Sequence, residues 1–400
     1  MSGILGKNMK YFWQILKEEY IAIFSDPGIL LIIIAGLAVY TMVYPLPYSR
    51  EVLKEVDVVA VDKDNTSLSR KLLRWIDATE EVNLIYRVSD FEEAKNLVIS
   101  GKANAIVVIP DDFERKILTR QKSVVQLFAD AAYFLIYRQV FTGVYKATAT
   151  MSAGVEIRRM TAEGLTEPYA KMKWNILNTD VRALFNPAGG YATYVVPGVL
   201  ILILQQTLLI GIGILTGTRQ EQYEPLPVSE KTNKPIFFCI ILARGFAYFS
   251  MYIFFPLFYI SVIYRVYNLP QLGNLFELMI FLIPYVSSII FLGFSLCTLF
   301  VSREISIPAL IFTSMPAVLL IGFAWPLETL PQWLRIVSLL FPSTSGSAGF
   351  VRMNQMGASL YEVRWEWFTL WALNFLYFTT AWLSFRLYHH RIQRKQLPSF

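Results

Sequence analysis

The sequence predicts a polytopic α-helical membrane protein that carries an inserted α/β domain facing water. Composition is the first reason, since 55% of the 400 residues are hydrophobic and only 16% are charged. An average soluble protein has about 25% charged residues. The layout is the second reason: one apolar run near the start and a nearly continuous apolar stretch from 191 to 388 flank residues 45–190, whose composition is that of a soluble domain.

Six segments are predicted to span the membrane. A span needs about 20 mostly apolar residues to cross about 30 Å of hydrocarbon. The first run is short, but tyrosines at its end extend it into the interface. A removable signal peptide is the alternative for this run, but acidic residues precede it and no small-residue cleavage site follows, which favours an uncleaved span. The predicted spans are 28–44, 191–216, 236–264, 275–301, 305–324 and 366–388.

Lysine and arginine residues predict the orientation. They precede the first span, follow the second in the loop 217–235, follow the fourth at Arg303 and follow the sixth in the basic tail 389–400, whereas the loop 265–274 carries only Arg265. By the positive-inside rule, both termini are cytoplasmic and residues 45–190 lie outside. The net charge of +6 therefore reflects topology, and no nucleic acid is expected as a partner.

An amphipathic helix is predicted before the first span. Over residues 8–25, apolar and aromatic residues recur at helical spacing, and Lys17 and Glu18 belong to the polar stretch between them. Such a helix lies in the plane of the membrane interface. The sequence Ser-Asp-Pro that ends at Pro27 breaks it and turns the chain into the bilayer. Residues 1–27 are therefore predicted to form one cytoplasmic element.

Residues 45–190 alternate between strand and helix patterns, which predicts a small β-α-β-α-β-α-β domain. Ser89 and Glu92 form a predicted capping box at the start of one helix. A long helix over 131–163 follows, and its charged residues make it too polar to span. The predicted strands are 56–61, 82–88, 104–109 and 124–128, and the other helices are 66–78, 89–100 and 111–120. Helix capping, favoured over metal binding, explains two carboxylate pairs: Asp62 with Asp64, and Asp111 with Asp112.

Residues 325–352 are predicted to form a re-entrant hairpin on the outer side. They are rich in large apolar side chains, but Pro326, Pro331 and Pro342 divide them into pieces that are too short to span. An interfacial loop whose aromatic residues pack on the core is the alternative.

The sequence contains none of the catalytic, nucleotide-binding or zinc-binding motifs considered below. It contains no phosphate-binding loop and no dinucleotide signature, no zinc-ligand spacing and no nucleophile elbow. Cys239 and Cys297 fall inside predicted spans, and the only histidines are His389 and His390 in the tail. The chain itself is therefore predicted to be non-catalytic, with no metal and no cofactor of its own.

Polar residues inside the spans are candidates for a translocation path. Arg244 lies near enough to the cytoplasmic side to extend its charge to the interface, and Glu277 lies near the outer end of the fourth span. An ion-driven pump usually needs a carboxylate near the midplane, and neither residue lies there. Polar residues in spans more often join helices by hydrogen bonds. The path candidates are Gln205, Gln206, Thr207 and Asn374, with Tyr194 near the start of the second span.

Several motifs occur in a specific order. They are Lys-Glu-Glu at 17–19 with Ser-Asp-Pro at 25–27, VVAVDKDNTSL at 58–68, ANAIVVIPDDF at 103–113, Asn186-Pro187 with YVVPG at 194–198, and FAWPLETLPQWLRIVSLLFPST at 323–344. In this order and spacing the chain resembles the ABC-2 type permeases, the membrane subunits of bacterial ATP-binding-cassette exporters of the type V class. It resembles the subgroup with a large extracytoplasmic domain after the first span.

The resemblance implies partners and a location. A partner ATPase would bind ATP and Mg²⁺ and would dock on the coupling loop 217–235 and on the amphipathic helix. A second permease subunit, identical or related, would complete the path in the bacterial cytoplasmic (inner) membrane, and a periplasmic adaptor protein is a further expected partner. From its composition alone the loop is as well explained as a solvated connector. The implied ATPase-docking residues are Lys17, Glu18, Arg219, Gln220, Glu221, Glu224, Glu230 and Lys231.

The predicted function is export of a hydrophobic or amphipathic substrate, such as a drug, lipid or peptide, from the cytoplasm or inner leaflet. Aromatic residues in the spans favour such a substrate, although they serve equally well as lipid-facing or packing residues. The alternative is a secondary transporter or channel driven by an ion gradient, whose transport would survive ATP depletion. A membrane-anchored sensor or scaffold is a third interpretation, and an intramembrane enzyme is the least favoured.

Overall fold

The computed structural model of the protein describes residues 2–174, 183–227, 237–296, 302–323 and 325–396. The protein is mostly helical and divides into two compact units. The larger unit comprises Met1–Glu51 and Ala183–Phe400, and the smaller unit comprises Val52–Arg182.

The chain begins with helices α1 (Ser2–Ser25) and α2 (Pro27–Tyr48). The break between them lies where the sequence predicts it. The Asp26 side chain accepts hydrogen bonds from the backbone N–H groups of Gly28, at 2.8 Å, and Ile29, at 3.1 Å. Because the first N–H groups of a helix have no partner within that helix, Asp26 fixes the residue at which α2 begins.

The smaller unit contains a four-stranded mixed sheet. Its elements are β1 (Val56–Asp62), α3 (Ser67–Asp77), β2 (Val82–Val88), α4 (Phe91–Ile99), β3 (Ala105–Ile109), α5 (Phe113–Leu118), β4 (Gln126–Ala129), α6 (Phe134–Ala162) and α7 (Glu167–Trp174). The strand order is β2-β1-β3-β4. β1 is parallel to both β2 and β3, and β4 is antiparallel to β3. The order of strands and helices agrees with the prediction from the sequence.

Alternate residues of β1 face opposite sides of this sheet, as the pleat requires. Val58 and Ala60 pack in one cluster with α3, α5 and α6, and Val59 and Val61 pack in another with α4. The long helix α6 belongs to the first cluster, where Val144 is one of its buried residues. α6 is therefore part of the core of this unit.

The predicted capping box of α4 is wrong. The helix begins at Phe91, and Asp90 is its N-cap, with a side chain that accepts a hydrogen bond from the backbone N–H of Glu93 at 3.1 Å. Ser89 lies one residue too early to take this position. The start of α3 follows the prediction, since Thr66 caps it.

The carboxylate pairs differ in their roles. Asp62 accepts from the backbone N–H of Asn65 at 2.9 Å, and Asp64 accepts from the backbone N–H of Glu114 at 3.1 Å, which lies in the first turn of α5. The first pair thus supports helix starts, as predicted. Asp112 has φ 59° and forms no side-chain cap, so capping does not explain the second pair.

The larger unit contains seven further helices among the described residues. They are α8 (Tyr191–Glu221), α9 (Phe237–Val266), α10 (Leu275–Leu296), α11 (Arg303–Leu320), α12 (Gln332–Ser338), α13 (Pro342–Met356) and α14 (Arg364–Gln396). α9 is interrupted after Tyr252 and resumes at Phe255. Helix α8 continues to Glu221, so residues 217–221 of the predicted loop 217–235 are helical, and residues 228–236 lie outside the described residues.

Five of the described helices are long and apolar enough to cross a membrane: α2, α8, α9, α10 and α11. The sixth predicted span, 366–388, lies within α14. This helix has 33 residues and is about 50 Å long at about 1.5 Å per residue. The count of six spans therefore stays a prediction. The end of the fourth predicted span, residues 297–301 with Cys297, lies outside the described residues.

The segment after α11 forms two short helices. α13 has 15 residues, so at about 1.5 Å per residue it measures about 22 Å and is too short to span. Most of α13 is buried, with Phe350 and Met353 in the core of the larger unit. Both the re-entrant hairpin and an interfacial loop whose aromatic residues pack on the core are compatible with this burial, so the hairpin stays a prediction.

Two glycines bring α8 and α11 close together. A Cβ atom on Gly213 would lie 2.4 Å from Cδ1 of Leu310, and one on Gly217 would lie 2.8 Å from the carbonyl oxygen of Ser302. Small residues four positions apart allow the backbones of two membrane helices to approach closely. The contact with Ser302 involves backbone, which cannot move aside as a side chain can.

Candidate functional site

A buried carboxylate joins three helices of the larger unit. Glu19 of α1 is 1% exposed. Its two oxygens accept hydrogen bonds from Nη1 of Arg219, at 3.1 Å, and from Nη2, at 2.6 Å. Nε of Arg244 in α9 lies 3.3 Å from Oε2, an ion pair without hydrogen-bond geometry. We call Glu19, Arg219 and Arg244 the Glu19 cluster.

The position of Glu19 on α1 explains its burial. Ile15 lies four residues before it, Ile23 lies four residues after it, and both are fully buried or nearly so. Residues at this spacing share one face of a helix, so Glu19 lies in the middle of the apolar face. In the sequence, Glu19 stands out only as part of the Lys-Glu-Glu motif at 17–19. An acid on the apolar face of an amphipathic helix is the signal that would have found it.

The charges of the cluster are balanced. Burial by itself raises the pKa of Glu19, but the charges of Arg219 and Arg244 outweigh it and hold this pKa below its ordinary value. The phenol of Tyr248 donates a further hydrogen bond to the carboxylate. Oε2 of Glu224 lies 3.3 Å from Nε of Arg219. Two cations thus face two anions, which limits the cost of burying them.

Helix α14 contacts the same region. The hydroxyl of Tyr388 lies within hydrogen-bond distance of the carbonyl oxygens of Arg219, at 3.1 Å, and Glu224, at 2.8 Å. The end of α8 and the turn that follows it are therefore held by side-chain contacts with α1 and α14.

A second ion pair joins the junction of α1 and α2 to the start of α11. Arg303 donates from Nη1 to Oδ2 of Asp26, at 2.5 Å, and from Nη2 to Oδ1, at 2.9 Å. Burial by itself raises the pKa of Asp26, but these bonds and the backbone N–H groups of α2 outweigh it and lower that pKa. Such two-point guanidinium–carboxylate pairs are among the strongest hydrogen-bonded contacts in proteins.

The predicted ATPase-docking residues fall into four groups. Arg219 is buried inside the Glu19 cluster, with a side chain that is 11% exposed, so it does not offer a surface contact. Glu230 and Lys231 lie outside the described residues. Gln220 is half-buried. The exposed residues are Lys17, Glu18, Glu221 and Glu224.

Most of the predicted path residues bind backbone. Gln205 is buried, and its Oε1 accepts from the backbone N–H of Ser343 at 2.8 Å. Asn374 donates to the carbonyl oxygen of Pro284 at 2.7 Å. Contacts between helices are what polar residues in bundles usually provide. For these two residues the structure therefore favours a role in joining helices by hydrogen bonds over a role in a translocation path.

The other three path residues differ from one another in their hydrogen bonds. Tyr194 is exposed and donates to the carbonyl oxygen of Phe323 at 2.9 Å. Thr207 donates to the carbonyl oxygen of Ile203, one turn earlier in α8, at 2.8 Å. Both polar atoms of the Gln206 amide are buried without a hydrogen-bond partner among the described residues, whereas in Asn374 only Oδ1 is left so.

Arg244 lies inside the larger unit, where its side chain is 8% exposed and paired with Glu19. The extension of its charge to the membrane interface stays a prediction. A bundle that contains five helices long and apolar enough to cross a membrane is typical of an integral membrane protein. Residues 27–383 match the family described as ABC-2 family transporter protein. The match covers most of the chain, which therefore belongs to this family of ABC transporter membrane subunits.

Two curated relatives align along almost the whole chain. One is the "Probable multidrug ABC transporter permease YbhR" of Escherichia coli (strain K12), which is 22% identical over 382 residues that cover 95% of this chain and 98% of the relative. The protein of the same name from Escherichia coli O157:H7 has the same identity and coverage. The chain is thus a transporter permease, as the order of its motifs predicts.

Proposed function

We propose that this chain is the permease subunit of an ATP-driven exporter. A partner ATPase binds ATP and Mg²⁺, and both termini of the permease lie on the cytoplasmic side of a bacterial inner membrane. Membership of the ABC-2 family supports the class of transporter. The positive charges in the tail, in the loop after α8 and at Arg303, the first residue of α11, support the orientation.

The Glu19 cluster is the observation that carries this proposal. It lies beside exposed charged residues of α1 and α8, namely Lys17, Glu18 and Glu221. An ATPase bound to these residues would displace α1 when its nucleotide sites close. Because breaking a buried ion pair costs about 3–5 kcal/mol, α1 would transmit the displacement to α8 and α9 without separating from them.

The cargo in this proposal is hydrophobic or amphipathic. The relatives from Escherichia coli are named as multidrug permeases, and the spans of this chain contain many aromatic residues. Two permease subunits, identical or related, would enclose the path between them. A periplasmic adaptor protein is a further proposed partner.

Co-expression with candidate ATPases tests the proposal. The complex is purified and reconstituted in liposomes, and ATP hydrolysis is compared with and without the permease. We expect Glu18→Ala and Glu221→Ala to reduce the stimulated hydrolysis several-fold and to weaken co-purification. Glu92→Ala, an exposed acid in the smaller unit, is the matched control. Docking variants that behave like this control would contradict the assigned surface.

The same liposomes separate this proposal from an ion-driven transporter. We expect uptake of a hydrophobic dye into these liposomes, by complexes whose ATPase faces outward, to require ATP and to persist when an ionophore removes the ion gradient. Uptake that persists without ATP and stops with the ionophore would establish the secondary transporter instead.

A further inference from the structure

The smaller unit contains a groove of about 780 Å³ between α5, β4 and α6. Ligand sites for small molecules usually have volumes of about 300–1,000 Å³ and mainly apolar walls. Buried side chains from three helices, including Leu72, Phe113 and Met151, form part of its lining. The groove is therefore continuous with the core of this unit and is not a shallow surface depression.

One face of α6 creates the space. Thr148, Ala149 and Ser152 line the groove with short side chains, and larger residues lie on both sides of them along the helix, such as Tyr145 and Val155. Residues three and four positions apart lie on the same helical face. Three short side chains in succession therefore leave a gap that larger residues would fill.

A row of exposed aromatic rings leads into the groove. Tyr137, Phe141 and Tyr145 are spaced four residues apart on α6, and their side chains are 39%, 48% and 62% exposed. Consecutive rings stack with centroids 6.2 and 5.8 Å apart. Phe141 and Tyr145 also line the groove. An exposed apolar patch beside a groove is typical of a surface that binds a ligand.

The polar groups of the lining favour an anion. Arg159 pairs with Glu156 at 2.9 Å, which neutralises both charges. Lys122 forms no ion pair with any residue that the structure describes. The hydroxyl of Ser123 is buried and has no hydrogen-bond partner in the described part of the chain. A positive charge and an unsatisfied hydroxyl thus lie in the lining of a mainly apolar groove.

We propose that this groove binds a small amphiphile with one apolar chain and an acidic head group, such as a fatty acid. The chain occupies the space beside Ala149 and Ser152, and the acidic group lies near Lys122 and Ser123. The same chemistry occurs in free fatty acids and in anionic lipids, so the experiment distinguishes the two sources. No residue of this site belongs to the proposed ATPase-docking surface. A negative result for binding in the groove would therefore leave the proposed transport function intact.

The test uses the full chain in phosphatidylcholine nanodiscs and a laurate that carries a photoreactive diazirine. After irradiation, mass spectrometry locates the labelled peptides. We expect labelling of α6 and of the segment from Phe113 to Leu127, with competition by unlabelled laurate at least tenfold stronger than by dodecanol. A photoreactive lysophosphatidylglycerol, an anionic lipid with one acyl chain, is the second arm when it is added to the nanodisc: labelling of the groove by this probe alone identifies an anionic lipid as the ligand.

Substitutions complete the test. We expect Ala149→Trp to reduce groove labelling at least tenfold because the indole fills the space, whereas Thr150→Trp, at an exposed neighbouring position outside the lining, leaves it unchanged. Lys122 is exposed, so Lys122→Ala tests the contact with the acidic head group without altering the core. Equal labelling in Ala149→Trp and Thr150→Trp, label spread over the whole chain, or equal competition by dodecanol would overturn the proposal.

Discussion

Glu19 illustrates the consequence of placing one carboxylate between two guanidinium groups away from water. Replacing a whole buried ion pair by apolar residues is often neutral, but removing one partner leaves the other charge buried without compensation. In this chain the loss of Glu19 would leave Arg244, whose side chain is 8% exposed, in that state, and Arg219 would keep only its ion pair with Glu224 at 3.3 Å.

We therefore expect Glu19→Gln to lower the free energy of unfolding by about 3–5 kcal/mol, the cost of breaking a buried pair. Thermal unfolding of the purified protein in detergent measures the effect as a lower melting temperature. Glu18→Gln is the matched control, because Glu18 is exposed and surface charges contribute little. An equal melting temperature for the two variants would show that the cluster does not stabilise the fold.

The lowered pKa of Glu19 predicts a dependence on pH. Its carboxylate stays ionised to a lower pH in the folded protein than in the unfolded chain. The stabilisation is therefore complete above the ordinary value of 4.5 and is lost as the pH falls below it, through the lowered pKa. We expect the melting temperature of the wild type to fall more steeply below pH 4.5 than that of Glu19→Gln. Parallel curves would contradict this assignment.

At the scale of the element, the contact between α8 and α11 depends on backbone that cannot move aside. We expect Gly217→Ala to destabilise the protein by about 1–3 kcal/mol, the usual cost of overpacking, because its Cβ would lie 2.8 Å from a carbonyl oxygen of the neighbouring segment. Gly245→Ala is the control, since its Cβ would meet side chains at 3.5 Å or more. Melting temperatures compare the two, and a stable Gly217→Ala protein would disprove the close contact.

The sequence predicts helices and strands better than it predicts which distant residues contact each other. Strand and helix order in residues 45–190 follows from local alternation, and Asp26 marks a break because it precedes a proline. The end of α8 is harder to locate from the sequence. Residues 218–221 are compatible with helix, and Tyr388, which contacts the end of α8, lies 169 residues after Arg219 in the sequence. The pairing of Glu19 with Arg219 spans 200 residues, and no local pattern records it.

At the scale of the whole molecule, orientation is the prediction that most affects the function. We expect Ser100→Cys, in a protein whose native cysteines are replaced by alanine, to react with a membrane-impermeant maleimide in intact spheroplasts. Gln393→Cys should react only after permeabilisation. Both positions are exposed, so burial cannot explain a difference between them. The reverse pattern would place the termini outside and would contradict the proposed docking side.

The family match extends over nearly all of the chain, yet the site itself depends on a few contacts between distant residues. Composition and charge bias are sufficient to predict a polytopic membrane protein with one soluble-like domain, and the transporter class follows from the resemblance of its motifs. The Glu19 cluster cannot be predicted in this way. Its residues come from α1, α8 and α9, and each of them alone has an ordinary explanation in the sequence.

The separation between Glu19 and Arg219 has a consequence for biosynthesis. Glu19 leaves the ribosome 200 residues before its first guanidinium partner, which takes about 10–40 s at about 5–20 residues per second. An unpaired carboxylate cannot be buried without a large penalty during this time. Helix α1 must therefore keep Glu19 hydrated until α8 and α9 have been made, and its docking is one of the last steps in assembling the N-terminal part of the bundle.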